Sequence, residues 1–552
     1  MNQRGLILQL FLLLVPVGLL AQIGPSVFLV SFTDKANTPY SLAEPEAFLS
    51  ERALARRAAQ GIALDETDLP VDPAYIAAVL AQGDVQLVNR SKWFNAITIR
   101  CTDQAALDAI AGLPFVTGIE PTRMLVGGMP DESKFGAPGE AITMRGGEGD
   151  YGPSFGQIAQ LNGHLLHEMD AKGQGMLIGV LDSGFDGTDV LPAFEALRDR
   201  GGIVLTRDMV THDGDVYADH WHGRSVLSCM AGVLEGQLIG TAPLADYVLL
   251  RTEDVGSEYL VEEDNWVAAA EVADSIGCDI LNTSLGYTVF DDSLQDHQYA
   301  DLDGLTTRMS IAAGMAARKG MIPVNSAGNA GSSDWYHISV PADAIDILAV
   351  GAVNINAESA PFSGHGPSAD GRVKPDVCAV GWGAIGLRAA GDSIAPINGT
   401  SFSSPIIAGL VACLWQLHPE RSAHDIMDAV RRSASHFNTP DADFGFGIPD
   451  FMQAHEWLTM TTAVNEIGGQ ASLAVHPVPF SDRLTITVPE GEGLVRISLH
   501  DAAGRTVWSG QATEACRHTL HDAALGALAD GFYVLRLEGA GRSLSTRVVK
   551  AR

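Results

Sequence analysis

Four side chains of the 552-residue chain have types suited to nucleophilic chemistry: Asp182, His222, Asn329 and Ser401. A serine hydroxyl attacks a carbonyl group only when a base takes its proton, and the base needs a third group to fix its tautomer. A carboxylate, an imidazole and a hydroxyl in this chain order are one known solution. Asn329 follows a predicted strand in a glycine-rich loop, where its amide could donate to developing negative charge. The sequence therefore predicts a serine nucleophile with a base, an orienting acid and an oxyanion donor.

Each of these residues also has an ordinary structural interpretation. An aspartate at a strand end is usually a turn former, a single histidine is usually a surface or core residue, and an asparagine beside glycine suits a turn. Ser401 alone would suit the N-cap of the helix that follows it. Asp186 and His220 are rivals for the acid and base roles. The common order of the four residues, each at the end of a predicted element, favours the catalytic interpretation.

The elements that must position these residues alternate between strands and helices. Residues 176–181 form a continuous apolar run, which predicts a strand covered on both faces and ending at Asp182. Residues 406–417 are apolar almost all round, which predicts a buried helix directly after Ser401, with Pro405 in its first turn. Further strand and helix patterns between them predict an α/β fold, a doubly wound parallel sheet. Active residues of such folds gather at the carboxyl ends of the strands.

The region of about residues 151–460 resembles the subtilisin-like serine proteases, the subtilases. The resemblance lies in short motifs, of which the Gly-Thr-Ser-x-x-x-Pro pattern is the most specific: Asp182-Ser183-Gly184, His222-Gly223, Ala327-Gly328-Asn329 and Gly399-Thr400-Ser401 with Pro405. It implies that Asp182 orients His222, that His222 acts as general base and then acid, and that Ser401 attacks the scissile carbonyl. It also implies that Asn329 and the Ser401 backbone N–H hold the oxyanion.

The resemblance extends to substrate binding and shows one departure. Ser284, Leu285 and Gly286 resemble the segment along which a peptide substrate adds as an extended β partner. We favour His222 over His220 because Gly223 follows it and Val226 stands four residues on, as in the family. Arg224-Ser225 departs from the Thr-His of many subtilases, so Arg224 is a candidate for lowering the basicity of His222 or shaping the cleft.

The regions before the α/β domain predict export and maturation. Residues 1–21 combine a short charged start with an apolar run and a small residue at the end, which is typical of a secretory signal peptide; an uncleaved anchor is the alternative. Residues 22–122 read as a small α+β domain, including a helix over 44–60, and resemble a subtilase propeptide; an independent binding module is the alternative. Residues 123–150 are rich in glycine and proline and predict a linker open to proteolysis.

The C-terminal region changes character again. Residues 470–552 contain short runs that alternate between apolar and polar residues, which predicts an antiparallel β-sandwich. The opening Pro477-Val478-Pro479-Phe480 and the late Gly531-Phe532-Tyr533-Val534-Leu535 resemble the sorting domain of the type IX secretion system. A carbohydrate-binding or adhesive sandwich is the alternative. Chain length alone suggests three or four domains.

Charge and composition limit the classes of molecule that the protein is expected to bind. With 35 Lys+Arg and 67 Asp+Glu residues, the formal net charge is −32, which argues against nucleic acid and anionic membranes. No apolar run besides the signal peptide is long enough to span a bilayer, so we expect no integral membrane segment after signal cleavage. The six cysteines show neither a zinc pattern nor a dense disulfide framework.

The predicted function is a secreted serine endopeptidase made as a zymogen. Its expected partners are peptide or protein substrates, its own propeptide and the type IX secretion machinery, and its expected location is secreted or attached to the cell surface. No cofactor is required; structural calcium is common in the family, but no loop is clear enough to assign ligands. The alternatives are a catalytically silent peptide-binding or adhesive surface protein on the same fold, and an esterase on the same triad.

Overall fold

A computed structural model describes residues 25–124, 149–389, 391 and 393–465 and most of residues 475–550. The predicted signal peptide and most of the predicted linker lie outside these residues. The chain forms two compact units, Met1–Leu458 and Thr459–Arg552, which are described separately below. The first unit joins the predicted propeptide to the α/β region, so the chain has fewer compact units than its length suggested.

The N-terminal part of the first unit is a four-stranded antiparallel sheet with helices. Its elements are β1 (Pro25–Phe32), α1 (Glu51–Ala59), α2 (Pro73–Leu80), β2 (Gln86–Ser91), β3 (Ala96–Arg100), α3 (Gln104–Ala111) and β4 (Val116–Met124), in the sheet order β2-β3-β1-β4. The helix predicted over residues 44–60 begins only at Glu51, because the Ser50 side chain accepts the backbone N–H of Ala53 and caps it there. A short 3-10 turn at Pro45–Ala47 precedes it.

The α/β part follows in the same unit, which ends at Leu458 within its last helix. Its elements are α4 (Phe155–Ala159), α5 (Gly163–Glu168), β5 (Leu177–Asp182), α6 (Glu195–Asp199), β6 (Ile203–Asp208), α7 (His222–Ala231), β7 (Val233–Leu234), β8 (Leu238–Ile239), β9 (Asp246–Arg251), α8 (Val261–Ile276), β10 (Ile280–Thr283), α9 (Arg308–Arg318), β11 (Ile322–Ser326), β12 (Leu348–Val353), β13 (Val377–Val380), β14 (Trp382–Leu387), β15 (Ile394–Asn398), α10 (Thr400–Leu417), α11 (Ala423–Arg432) and α12 (Phe451–Asn465).

Seven parallel strands form the central sheet in the order β13-β12-β11-β10-β5-β9-β6. Alternate residues of β5 enter two different cores, Ile178 and Val180 on one face and Leu177 and Leu181 on the other. Helices α7 and α10 contribute to the first core, and α8 and α9 contribute to the second. The sheet is therefore covered on both faces, and the predicted α/β fold class is confirmed.

Helix α10 is the central helix of this architecture. Its residues from Thr400 to Trp415 are all buried. By length and composition it is the one helix of the described residues that could cross a membrane, but 89% of its apolar window is buried inside the protein, as expected for a core helix. The helix begins at Thr400, so Pro405 lies in its second turn rather than its first.

The N-terminal domain packs against two helices of the α/β part. On α8, the Asp274 carboxylate is buried and accepts hydrogen bonds from Arg56 at 2.5 Å, Arg57 at 2.8 Å and Lys92 at 3.2 Å. Glu271, one turn earlier, accepts from the Ser91 hydroxyl at 2.6 Å. On α9, Arg308 pairs with Glu120 of β4 at 2.7 Å. These polar contacts, buried at α8 and partly exposed at α9, explain why the N-terminal domain does not separate as a compact unit.

The second unit contains two antiparallel sheets. Its elements are β16 (Val475–His476), β17 (Arg483–Thr487), β18 (Val495–His500), β19 (Thr506–Ala512), β20 (Arg517–His521), α13 (Ala523–Gly526), β21 (Gly531–Glu538) and β22 (Ser543–Lys550). The sheets have the orders β16-β17-β20 and β19-β18-β21-β22. One core joins them through alternating apolar residues such as Leu484 and Ile486 of the first sheet and Leu535 and Leu537 of the second.

Candidate active site

The carboxylate and the imidazole predicted at residues 182 and 222 are hydrogen-bonded to each other. His222 Nδ1 lies 2.7 Å from Asp182 Oδ1, and both side chains are fully buried. Asp182 ends β5, and His222 begins α7. The same carboxylate oxygen accepts the backbone N–H of Ser183 at 2.8 Å. A carboxylate at Nδ1 fixes the imidazole with its Nε2 as the nitrogen that can accept a proton.

Two glycines allow these elements to meet. A Cβ on Gly223 would lie 2.4 Å from the carbonyl oxygen of Gly184 and 2.8 Å from Cβ of Asp182. Gly184 has a φ of +147°, and a Cβ there would lie 2.5 Å from the backbone nitrogen of His220. A side chain at Gly223 would push α7 away from β5, and one at Gly184 would push away Asp219 and His220, which precede α7. This close packing gives a physical reason for glycine after both Asp182-Ser183 and His222.

The rival residues have other partners. Asp186 accepts from the guanidinium of Arg224 at 3.1 Å. Arg224 also donates to the carbonyl oxygens of Arg388 at 2.7 Å and Ala389 at 3.0 Å. His220 Nδ1 lies 3.0 Å from the hydroxyl of Ser183. Arg224 therefore holds the loop after β5 to the end of the β14 segment, which supports a role in shaping the site.

Ser401 is the second residue of α10 and is 1% exposed. The N-cap is Gly399, with a φ of +149°, so Ser401 is not the capping residue. Its hydroxyl lies 3.1 Å from the carbonyl oxygen of Ser284, just after β10. Its backbone N–H belongs to the first turn, where N–H groups have no intrahelical acceptor and the helix dipole is positive. This position suits a nucleophile whose reaction creates an anion.

Pro405 contributes to the placement of Ser401. In a regular helix the N–H of residue 405 would donate to the carbonyl oxygen of Ser401, but proline has no N–H. The Ser284 hydroxyl donates to that oxygen instead, at 2.8 Å. The motif spacing thus leaves the Ser401 carbonyl oxygen available for a contact between α10 and the end of β10. Sequence reasoning missed this contact, although the proline four residues after the serine was its signal.

Asn329 is held beside the start of α10. Its side-chain oxygen accepts both the backbone N–H and the hydroxyl of Thr400, each at 2.9 Å. The amide nitrogen is therefore on the other side, 3.7 Å from the position of a Cβ on Gly399. The amide therefore lies beside the first turn of α10. Sequence reasoning did not anticipate the role of Thr400 in orienting this amide.

The predicted substrate-binding residues are Ser284, Leu285 and Gly286. They lie between the end of β10 and the isolated β-bridge formed by the residue that follows them. The ladder of β10 ends at Thr283, and the next bridged residue is Tyr287, which pairs with Val340. Ser284 and Leu285 are buried, and Ser284 contacts Ser401 through both its hydroxyl and its carbonyl oxygen. The structure therefore brings this segment next to Ser401.

Three carboxylates in the described residues could approach one metal ion: Glu253, Glu258 and Glu262 come within 4.8 Å of one another. Glu253 also accepts the hydroxyl of Tyr287 at 2.6 Å, and Glu262 accepts the backbone N–H of Asp254 at 3.0 Å. An acidic cluster with these protein donors is not by itself evidence for a cation, so we assign no metal ligands.

Comparisons with protein-family models divide the chain into three recognised parts. Residues 173–447 match the subtilase family, residues 27–134 match the S8 peptidase propeptide domain of Bacteroidota, and residues 474–551 match a secretion-system C-terminal sorting domain. The chain therefore carries a subtilase domain, preceded by its propeptide domain and followed by a sorting domain that marks it for secretion or cell-surface attachment.

Individual relatives agree with this assignment. The chain is 29% identical over 266 residues to the membrane-bound transcription factor site-1 protease of Mus musculus, covering 47% of this chain and 22% of that protein. It is 27% identical over 285 residues to subtilisin E of Bacillus subtilis, covering 50% of this chain and 65% of that protein. The chain thus spans less than two thirds of the length of these relatives.

A solved structure supports the fold independently. Fervidolysin from Fervidobacterium pennivorans, a keratinolytic enzyme related to subtilisin, superposes with a TM-score of 0.52 at 18% identity. The match covers 94% of this chain and 71% of that chain. It confirms the subtilisin-like fold.

Proposed function

We propose that this protein is a secreted serine endopeptidase, synthesised as a zymogen, with Ser401 as its nucleophile. The observation that carries the proposal is the buried hydrogen bond of 2.7 Å between Asp182 Oδ1 and His222 Nδ1 at the end of β5. A general base needs such a carboxylate to hold its tautomer, and the pair supplies that arrangement. The neighbouring parallel strand β10 is followed by Ser284, which contacts Ser401.

The proposed reaction begins when Ser401 Oγ attacks the scissile carbonyl carbon and His222 Nε2 takes the hydroxyl proton. The carbonyl oxygen becomes negatively charged and is stabilised by the Ser401 N–H and the Asn329 side-chain amide. The C–N bond then breaks as His222 gives its proton to the leaving amine, which leaves an acyl-enzyme. A water molecule, deprotonated by His222, releases the acid by the same steps in reverse, and Ser401 recovers its proton.

The peptide chain of the substrate is expected to extend along Ser284, Leu285 and Gly286. These residues follow β10 and are not part of its ladder, so a peptide can add beside them in extended form. The carbonyl oxygen of Ser284 already contacts the Ser401 hydroxyl. A substrate in this position would have its reacting carbonyl between Ser401 and Asn329.

The N-terminal domain is proposed to keep the enzyme inactive until it is removed. Its match to an S8 propeptide domain and its buried ion pairs with α8 support this role. The type IX secretion machinery is the proposed partner of the C-terminal domain.

The proposal is tested by labelling the processed protein with a fluorophosphonate and by measuring cleavage of a peptide library. Labelling of wild type at Ser401, and none in Ser401→Ala, is the expected result together with peptide hydrolysis. No labelling and no hydrolysis in a folded, processed protein would favour the silent peptide-binding alternative. Ester cleavage without peptide cleavage would favour the esterase.

A further inference from the structure

The base and the nucleophile of the proposed reaction belong to different elements. His222 begins α7, whereas Ser401 is the second residue of α10. The ring of His222 lies 5.8 Å from the ring of Phe402, the residue after Ser401, measured between the ring centroids. The distance between the imidazole and the hydroxyl therefore depends on how α7 is held against the segment that leads into α10.

That segment is the hairpin of β14 and β15, which lies outside the seven-stranded sheet. Its two strands pair as far as Leu387 and Ile394 at one end. At the other end β15 leads into Gly399, the N-cap of α10, whose N–H donates to the carbonyl oxygen of Gly381 at 2.8 Å. A two-stranded hairpin is only marginally stable by itself. The position that it gives to the start of α10 therefore depends on what fixes its far end.

Two serine hydroxyls of α7 bond this far end at the last residue of β14. Ser225 donates to the carbonyl oxygen of Leu387 at 2.7 Å, and Ser228 accepts the N–H of Leu387 at 3.0 Å. All three residues are fully buried. A Cβ on Gly386 would lie 3.1 Å from the Ser228 hydroxyl, so the strand runs directly against the helix. Both polar groups of the Leu387 backbone are thus bonded to the helix that carries His222.

Arg224 extends this attachment to two loops. One terminal nitrogen of its guanidinium donates to the carbonyl oxygens of Arg388 at 2.7 Å and Ala389 at 3.0 Å, directly after β14. The other donates to the carbonyl oxygen of Asp186 at 2.9 Å and to its carboxylate at 3.1 Å, in the loop after β5. The side chain is 3% exposed. Hydrogen bonds to a buried cation are stronger than those between neutral groups, so Arg224 is a firm link between α7 and the hairpin.

These contacts give a physical meaning to the one departure in the histidine motif. Arg224-Ser225 stands where many subtilases have Thr-His, and both side chains bond the far end of the hairpin. A threonine hydroxyl is a single donor on a short side chain and could not bond the carbonyl groups of two loops at once. This chain therefore has an attachment of α7 to the hairpin that the Thr-His motif would not supply.

We propose that Arg224 and Ser225 are positioning residues that hold α7 to the hairpin of β14 and β15 and thereby fix His222 against Ser401. This inference rests on the proposed function and adds two residues to it. Neither side chain touches the reacting atoms. Their loss would leave the substrate-binding segment after β10 in place and would let the base and the nucleophile move apart.

The test compares Arg224→Gln with Arg198→Gln in the processed enzyme. Arg198 of α6 also donates to two carbonyl oxygens of the loop after β5, those of Thr188 at 2.9 Å and Leu191 at 2.8 Å, but no hydrogen bond joins it to the hairpin in the part of the chain that the structure describes. We expect Arg224→Gln to lower kcat and the rate of fluorophosphonate labelling by about 10–100-fold, because a displacement of about 1 Å costs about 10²-fold. KM should stay nearly unchanged. Rates are expressed per site labelled at completion, so a loss of folded enzyme does not affect them. Arg198→Gln should leave both rates unchanged.

Arg224→Lys separates position from charge. The ammonium keeps the positive charge near His222 but lacks the planar fork that bonds both loops. We expect Arg224→Lys to be slow as well, and the pH profile of kcat/KM to match that of wild type in both variants. Full activity of Arg224→Lys, with a shifted profile in Arg224→Gln, would mean that the charge of Arg224 tunes the basicity of His222, and it would overturn the positioning role.

Ser225→Ala removes one bond of the same attachment. It should lower the two rates in the same direction by a smaller factor, and it decides the proposal if Arg224→Gln yields no processed enzyme. Wild-type rates in both Ser225→Ala and Arg224→Lys, or an equal loss in Arg198→Gln, would overturn the positioning role and leave the protease function intact. Absence of both labelling and peptide cleavage in the wild-type protein would overturn the function itself.

Discussion

Asp182, His222, Asn329 and Ser401 come from four strand or helix ends that are distant in sequence. The pair of Asp182 and His222 is joined by a direct hydrogen bond, and Asn329 is tied to the first residue of α10. These four positions could be selected from the sequence because each has a reactive side chain beside a glycine or at an element end. The contact between Ser284 and Ser401 could not, because it joins residues 117 positions apart and depends on the missing N–H of Pro405.

At this scale we predict that Asn329→Ala lowers kcat by about 10²–10³-fold with little change in KM. The amide is proposed to bind the oxygen only once it becomes negatively charged, and one such donor is worth about 3–4 kcal/mol, a magnitude that comes from subtilisin. Steady-state kinetics on the processed enzyme measure the effect. Asn356→Ala, at an exposed turn, is the control. A raised KM with unchanged kcat would instead indicate a role in ground-state binding.

The elements that hold the site differ in how clearly the sequence marks them. β5, β9 and β12 have continuous apolar runs because helices cover both faces of the sheet. β6 escaped detection because it is an edge strand with exposed Val204 and Arg207, and its pattern is correspondingly mixed. A strand can thus be predicted from the sequence where both of its faces are buried. The close approach of α7 to β5 could not be predicted in this way, because it depends on tertiary packing.

We predict that Gly223→Ala abolishes most of the activity and lowers stability. Its Cβ would lie 2.4 Å from the Gly184 carbonyl oxygen, so α7 must move away from β5 and carry His222 with it. Overpacking of this kind costs about 1–3 kcal/mol, and a displacement of about 1 Å at a catalytic group costs about 10²-fold in rate.

Gly314→Ala in α9 is the matched control. The nearest atom to its Cβ is a side-chain nitrogen of Arg318 at 3.4 Å, an ordinary contact. It should keep full activity and raise stability slightly, because alanine favours a helix by about 1 kcal/mol over glycine. Thermal unfolding and peptide hydrolysis of both variants are the measurements; equal behaviour of the two would refute the packing argument.

On the scale of the whole molecule, the propeptide and the catalytic domain share a buried polar interface. Burial alone would raise the pKa of Asp274, but Lys92, Arg56 and Arg57 outweigh this effect and lower the pKa to about 2. The sequence marked the two domains by a change in pattern. The sequence did not predict that the two domains form one compact unit. Arg56 and Arg57 of α1 are buried at the interface, but their spacing in the sequence is the same as that of arginines on a solvent-exposed helix face.

We predict that Asp274→Asn destabilises the uncleaved Ser401→Ala protein by about 3–5 kcal/mol at pH 7, because it removes the anion that pairs with buried Arg56 and one of the two carboxylates that pair with buried Arg57. Thermal or denaturant unfolding measures the loss. Asp254→Asn breaks the partly exposed pair with Arg123 at the same interface and should cost less than about 1 kcal/mol. Similar losses in both variants would contradict the argument from burial.

The pH dependence of this contribution follows from the sign of the shift. A carboxylate whose pKa is lowered on folding stabilises the folded state at every pH above its unfolded value of about 3.9. The difference in unfolding free energy between the Asp274→Asn variant and its parent should therefore stay constant from about pH 5 to 8. This difference should shrink as the pH falls below the unfolded value towards the folded pKa of about 2. A difference that grows on acidification would contradict the argument.

Once the propeptide leaves, the face of α8 that carries Glu271 and Asp274 is left with the acidic charges that Arg56, Arg57 and Lys92 had neutralised. Oppositely charged surfaces accelerate each other's encounter in solution, and dissolved ions weaken that attraction. We therefore expect a released propeptide to rebind the catalytic domain quickly at low ionic strength and slowly at high ionic strength. Lasting activation then depends on destroying the detached fragment, so the lag before full activity should shorten as ionic strength rises.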